Sequence, residues 1–202
     1  MTMRIGCVLF DGFETLDMFG PVELFGMHEA AFEMRLVAEA PGPVRSAQGW
    51  QAVAEAGFDD LAQYDILLVP GGAGTRREVD NPALLGWLKA QAEAARFITS
   101  VCTGSALLAR AGLLDGKRAT SNKRAFDWVT QTGPRVDWVY HARWVEDGRF
   151  WTSSGVSAGM DMTLALIAHL LGRPAAENAA DWAEYTWHRD ADHDPFATRD
   201  RA

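Results

Sequence analysis

The chain has 202 residues, 19 Lys and Arg against 27 Asp and Glu, a formal charge of −8 and 48% hydrophobic residues, enough for one compact domain over 1–202 that buries roughly 70% of its unfolded surface. Two cysteines make no disulfide framework and no basic-then-apolar leader follows Met1, which points to a reducing, cytoplasmic setting. The longest apolar stretch, 162–171, is about half of the roughly 20 residues a membrane span needs, and no Lys/Arg cluster offsets the acidity, so membrane and nucleic acid are set aside as partners.

Residues 4–10 are apolar after their first charge and read as a strand buried on both faces of a parallel sheet. Past Asp11-Gly12 the spacing of Leu16, Phe19, Leu24, Phe25 and Met27 predicts a helix that Gly20-Pro21 bends or restarts, with Asp17 near its start. A second strand is predicted over 34–38 and a peripheral hairpin over 44–56. Residues 65–69 repeat the buried-strand signature and run into Pro70-Gly71-Gly72-Ala73-Gly74. Asn81 as N-cap and Pro82 as first helical residue then open a helix through Ala95. The next strand, 96–101, ends at Cys102-Thr103-Gly104-Ser105, and a helix over 106–111 stops at Gly112. Three strand-then-helix units with short connections predict a mostly parallel α/β sheet. Further on, the pattern gives a strand over 117–120, a helix over 123–132, a hairpin of 139–145 and 150–153 turning near Asp147-Gly148, and a helix over 156–171. A last helix runs from Pro174 to about His188, with an acidic tail behind it.

In an open parallel sheet, ligands gather at the carboxyl ends of the strands. Asp17, Gly71-Gly72 and Cys102-Thr103 each fall at such an end. A cysteine between a buried strand and a helix start presents its sulfur on a sharp turn near unpaired backbone N–H groups, which lowers the energy of a thiolate. Gly104 and Ser105 are small enough to relieve the crowding of such a nucleophile elbow. The glycines after the 65–69 strand let another backbone N–H approach the same point and form an oxyanion hole with that of Thr103. The same position suits a small buried hydrophobe, so both readings of Cys102 stay open at this point. Cys7, inside an apolar strand, reads as core. Gly71-Gly72 is no phosphate loop, because no Gly-Lys-Ser/Thr follows.

The ordered set Val69-Pro-Gly-Gly72, Ser100-Val-Cys-Thr-Gly-Ser105, Ala111-Gly-Leu-Leu-Asp-Gly-Lys-Arg-Ala-Thr120 and Ser157-Ala-Gly-Met-Asp161 resembles the ThiJ/PfpI superfamily from about residue 4 to 172. The resemblance implies a flavodoxin-like three-layer α/β sandwich, a homodimer and a small-molecule substrate. It implies Cys102 as nucleophile, Asp17 in contact with its sulfur, Gly72 and Thr103 as backbone donors, and Gly71 and Asn122 beside the substrate. Peptidase-like members carry histidine directly after the cysteine, where this chain has Thr103. Glyoxalase-like members carry glutamate at the acid position and histidine where Asn122 stands. Asp17, Cys102-Thr103 and the Leu-Asp-x-x-Gly-Pro run at 16–21 look most like isocyanide hydratases, which add water to an isocyanide to give an N-formamide without cofactor or metal. The same superfamily contains effector-sensing halves of transcription regulators, the non-catalytic alternative, and glyoxalase-like detoxifying enzymes, the alternative chemistry.

The tail residues His188, Asp190, Asp192, His193 and Asp194 have metal-binding side chains but no second fixed segment, and read as a solvated tail. Arg76 and Arg77 read as a solvated helix approach, and core packing is the default for each of the eight tryptophans.

Overall fold

The apolar runs at 4–10, 65–69 and 96–101 form the centre of the molecule. The computed structural model describes residues 2–197. In chain order they form β1 (Met3–Val8), α1 (Thr15–Gly26), β2 (Phe32–Val37), β3 (Gly42–Arg45), β4 (Gln51–Ala54), β5 (Ile66–Val69), α2 (Thr75–Glu78) and α3 (Pro82–Ala94). There follow β6 (Phe97–Ser100), α4 (Gly104–Arg110), β7 (Arg118–Ala119), α5 (Phe126–Thr132), β8 (Asp137–Trp138), β9 (Trp144–Asp147), β10 (Phe150–Ser153), α6 (Ala158–Leu171) and α7 (Arg173–Trp182).

Among the described residues, six strands make the main sheet in the order β2-β1-β5-β6-β10-β9. All neighbours are parallel except β9, which pairs antiparallel with β10 at the edge. Every residue of β5 and β10 is buried, as expected for strands covered on both faces. Helices α1, α6 and α7 pack together on one side, and α2, α3, α4 and α5 on the other, giving a three-layer α/β sandwich. The chain runs from β1 outward to β2 and then returns to β5 on the opposite side of β1, so strand order reverses between β1 and β5. That reversal brings the carboxyl ends of β1, β5 and β6 side by side, where such sheets hold their ligands.

Helix α3 starts where the sequence places it. Asn81 Oδ1 accepts the N–H groups of Ala83 and Leu84 at 3.0 and 3.3 Å, a cap worth about 1 kcal/mol, and Leu84, Trp87, Leu88 and Ala92 turn inward. The peripheral hairpin is β3-β4, antiparallel and outside the main sheet. Three expectations are corrected. Helix α1 runs unbroken through Pro21, because Met18, Leu24 and Phe25 on its inner face are fully packed. Residues 139–143 lie outside the strands, β9 starting at Trp144. Helix α7 ends at Trp182, and residues 183–197 follow as irregular chain, with Glu184 in the left-handed region at φ 47°.

Candidate active site

Strand β6 delivers Cys102 to a turn that only a strained backbone can make. Cys102 sits at φ 56°, a conformation costing a non-glycine residue about 1–3 kcal/mol. Its N–H, shared between Ser153 O at 3.2 Å and Ser154 O at 3.1 Å, ties the turn to the end of β10. The carbonyl on the other side accepts the Ser121 and Ser105 hydroxyls at 2.8 and 3.2 Å. Helix α4 then begins at Gly104, where a Cβ would overlap the Val69 and Pro70 carbonyls. The strand, the strained turn and the helix have the geometry of a nucleophile elbow, held by β5, β10 and the turn at 120–122.

Helix α1 carries Asp17 to the sulfur from below. Asp17 is fully buried. Its Oδ2 accepts the Gly71 N–H at 2.9 Å, Oδ1 is buried without a nitrogen or oxygen donor, and the Cys102 thiol hydrogen-bonds to the carboxyl. Thr103 N–H and hydroxyl and the Asn122 amide all bond the sulfur. Thr103 Oγ1 also accepts the Gly72 N–H at 3.0 Å and lies 3.1 Å from Thr75 Oγ1. All six residues singled out by the sequence thus meet at one point. The two N–H groups expected to face an oxyanion are both engaged: that of Gly72 with Thr103 Oγ1, that of Thr103 with the sulfur.

Burial sets the electrostatics. Desolvation pushes the Asp17 carboxyl from 3.8 up to about 8, with only the Gly71 N–H and the thiol pulling it down against Glu14 nearby. Burial, then the neighbouring Asp17 charge, push the Cys102 thiol well above its ordinary value, opposed by the donors of Thr103 and Asn122. Two adjacent buried acids cannot both ionise, so they titrate as a pair. Near neutrality both protons are in place. Once the first has left, one neutral donor, the Gly71 N–H, faces the carboxyl, while three face the sulfur. Those donors offset part of the cost of a charged sulfur, so the proton that remains is shared between carboxyl and sulfur.

Cys7 is core, as expected, and burial raises its thiol to about 12. Arg76 and Arg77 are exposed on α2, as expected, Arg76 stacking on Trp128 at 4.7 Å and Arg77 bonding the Asp11 carbonyl and Glu78. The acidic tail needs a larger correction. Asp194 is 1% exposed, and stands 3.7 Å from Lys123 and 3.6 Å from Arg143, while Arg143 also pairs with buried Asp161 at 2.6 Å. Ser121 and this charge network were missed by sequence reasoning. Only Asp161 carried a signal, inside the run Ser157–Asp161. Among the described residues no group of three or more His, Cys, Asp or Glu could hold a metal ion, and no helix is long and apolar enough to cross a membrane.

Comparison with known proteins places this geometry. The chain is 36% identical over 187 residues to the isonitrile hydratase of Pseudomonas putida, covering 92% of this chain and 79% of that protein. It is 33% identical to the HTH-type transcriptional regulator GbdR of Pseudomonas aeruginosa, over 84% of this chain but 47% of the regulator. Among solved structures, a ThiJ/PfpI family protein from Pseudomonas syringae superposes with a TM-score of 0.85 at 32% identity, covering 92% of this chain and 76% of that one. The DJ-1/PfpI family model matches residues 3–169, a span that contains the elbow, the acid and every donor to the sulfur, and the chain belongs to that family.

Proposed function

We propose that this protein is an isocyanide hydratase, with Cys102 as nucleophile and Asp17 as a carboxyl that alternates between acid and base. The observation that carries the reading is the buried Asp17 carboxyl on the Cys102 sulfur, raised to about 8, with Asn122 at the position where glyoxalase-like members have histidine. The similarity to isonitrile hydratase over 92% of the chain supports it.

In the reactive form the sulfur is the thiolate and Asp17 holds the proton. The thiolate attacks the terminal carbon of R–N≡C, and Asp17 delivers its proton to that same carbon, giving the thioimidate R–N=CH–S. Asp17, now a carboxylate, draws a proton from water as the oxygen adds to the carbon, and passes it to the nitrogen. The hydroxyl proton of R–NH–CH(OH)–S then returns to Asp17 as the carbonyl forms, the C–S bond breaks, and R–NH–CHO leaves with the thiolate restored. One water is consumed and no electron changes hands. Thr103 and Asn122 stabilise the sulfur while it is charged. Gly71 keeps Asp17 oriented through its backbone donor.

The test follows an aromatic isocyanide to its formamide by ultraviolet absorbance, with wild type, Cys102→Ala and Asp17→Asn. Saturable turnover that both substitutions abolish is expected. No turnover by reduced, folded wild type overturns the hydratase reading and favours a non-catalytic, ligand-sensing role; the transcriptional regulator GbdR shares this region.

A further inference from the structure

Lys123 has no part in the chemistry above, yet it is buried and its ammonium is saturated. Nζ donates to Thr120 Oγ1 at 2.9 Å, Ser121 O at 3.2 Å and Ala142 O at 2.8 Å, with Asp194 Oδ2 3.7 Å away. The C-terminal segment that brings Asp194 is pinned by backbone bonds, Asp194 N–H to His141 O at 2.8 Å and Arg143 N–H to Ala191 O at 2.7 Å. One side chain thus joins the 120–122 turn, the chain before β9 and the C-terminal segment. An apolar side chain would fill such a space without the desolvation cost of a charge. The charge therefore needs a reason beyond packing.

The turn that Lys123 grips makes two contacts with the nucleophile. Ser121 Oγ donates to the Cys102 carbonyl at 2.8 Å, and the Asn122 amide bonds the sulfur. The polarity of that amide is fixed, because Oδ1 accepts the N–H groups of Arg124 and Ala125 at 2.9 and 3.1 Å. The donor end, Nδ2, is left facing Gly155 and the sulfur, so close that a Cβ at Gly155 would overlap it. Held this way, Asn122 can only donate, which favours a charged sulfur over a neutral one.

We propose that Lys123, paired with Asp194, is a positioning residue for Cys102: its ammonium holds the 120–122 turn so that the Asn122 amide stays on the sulfur and favours the thiolate. This rests on the reading above only in taking Cys102 as the nucleophile. An ammonium has three N–H groups and all three are used; a neutral amine has two and aims a lone pair at an oxygen. Burial lowers Lys123 from 10.5 to about 8, with Asp194 holding it up and Arg143 pushing it down. The Phe126 and Tyr140 rings, 5.5 and 5.7 Å from Nζ, complete its surroundings. The clamp therefore loosens as pH rises past about 8.

The test is the pH profile of Cys102 alkylation by iodoacetamide, with the modified residue identified by mass spectrometry. It uses the full chain as wild type, Lys123→Met, Lys123→Arg, Asn122→Ala and the Lys123→Met/Asn122→Ala double variant. A hydrogen bond to a charged group is worth about one pKa unit or more, so Asn122→Ala lowers the thiolate fraction at pH 7 about tenfold. Lys123→Met is expected to lower it by a similar factor, the double variant no further than either single one, and Lys123→Arg to recover part of the loss. A Lys123→Met protein with a lower melting point but the wild-type profile overturns the proposal, as does full additivity in the double variant. Should Lys123→Met fail to fold, Asp194→Asn, which removes the counter-charge, must shift the profile in the same direction, and an unchanged profile overturns the proposal. Alkylation needs no turnover. A shifted profile without isocyanide hydration removes the hydratase reading and keeps the clamp, whereas normal hydration with an unshifted profile removes the clamp alone.

Discussion

Asp17→Asn tests the protonation of the acid without any substrate. A carboxyl whose folded value is about 8 against 3.8 when free binds more protons folded than unfolded across that window, so stability falls as pH rises. The group contributes nothing unfavourable below 3.8 and a penalty that grows with pH to about 4 kcal/mol at pH 7. Asparagine has the shape of the protonated acid, keeps an oxygen for the Gly71 N–H, and has no charge to lose. The stability of Asp17→Asn relative to wild type is therefore expected to improve by about 3 kcal/mol between pH 5 and 7. Urea denaturation of both proteins at pH 5, 6 and 7 reads this directly, since histidines and other carboxylates contribute equally to the two curves. A difference that stays constant with pH would show Asp17 ionised in the folded protein at neutrality, and the proposed proton donor would be gone.

Gly104→Ala drives a Cβ into two backbone carbonyls, and a loss of several kcal/mol in thermal unfolding is expected; a loss under 1 kcal/mol would mean the elbow is not held as tightly as described. Arg143→Met removes the guanidinium that faces Asp161 and Asp194, both fully buried, and should cost about 3–5 kcal/mol in urea denaturation. The rate of isocyanide hydration at low substrate should climb with pH toward about 8, where the pair loses its first proton; a flat profile from pH 6 to 8 contradicts the shared-proton account. The exposed apolar side chains Leu16 and Phe19 on α1 and Trp50 and Val53 on the β3-β4 hairpin lie on elements linked by the Thr15–Gln48 bonds. The chain is expected to sediment as a homodimer that Trp50→Glu weakens, and a wild-type monomer at micromolar concentration refutes this.

The parts of the fold that were legible in the sequence are those fixed by local chemistry. Continuous apolar runs announce β1, β5 and β6 because both faces of those strands are covered, and Asn81-Pro82 announces α3 because the cap and first turn need only adjacent residues. Asp17, Gly71-Gly72 and Cys102-Thr103 could be gathered because strand order and the location of carboxyl ends follow from the α/β pattern. The end of α7 could not. The chain leaves the helix to reach Asp161, which accepts the Tyr185 hydroxyl at 3.0 Å and the His188 N–H at 2.8 Å on Oδ1, while its carbonyl takes the Trp187 ring N–H at 3.2 Å. A residue on α6 thus decides where a later helix stops, and no window of sequence around 174–188 contains that information. Asp194 was hidden for the same reason: its neighbours in sequence are exposed, and its partners Lys123 and Arg143 are remote in the chain.

In the proposed mechanism, Asn122 divides the work that a cysteine–histidine pair does with one group. A histidine beside the sulfur would both stabilise the thiolate and carry its proton, because imidazole can exist with or without the second proton near neutral pH. An amide can only stabilise. On that mechanism the proton must go elsewhere, and among the described residues Asp17 is the titratable group in contact with the sulfur. A carboxyl serves as that carrier only if it can hold a proton near neutrality, which an exposed aspartate at 3.8 cannot do. The depth of Asp17 under α1 and β5, with a single backbone donor on Oδ2, supplies what is needed. On the proposed mechanism, burial of the acid and the presence of an amide at 122 are therefore two halves of one arrangement: an amide beside the sulfur makes a raised aspartate necessary, and a raised aspartate makes a histidine dispensable.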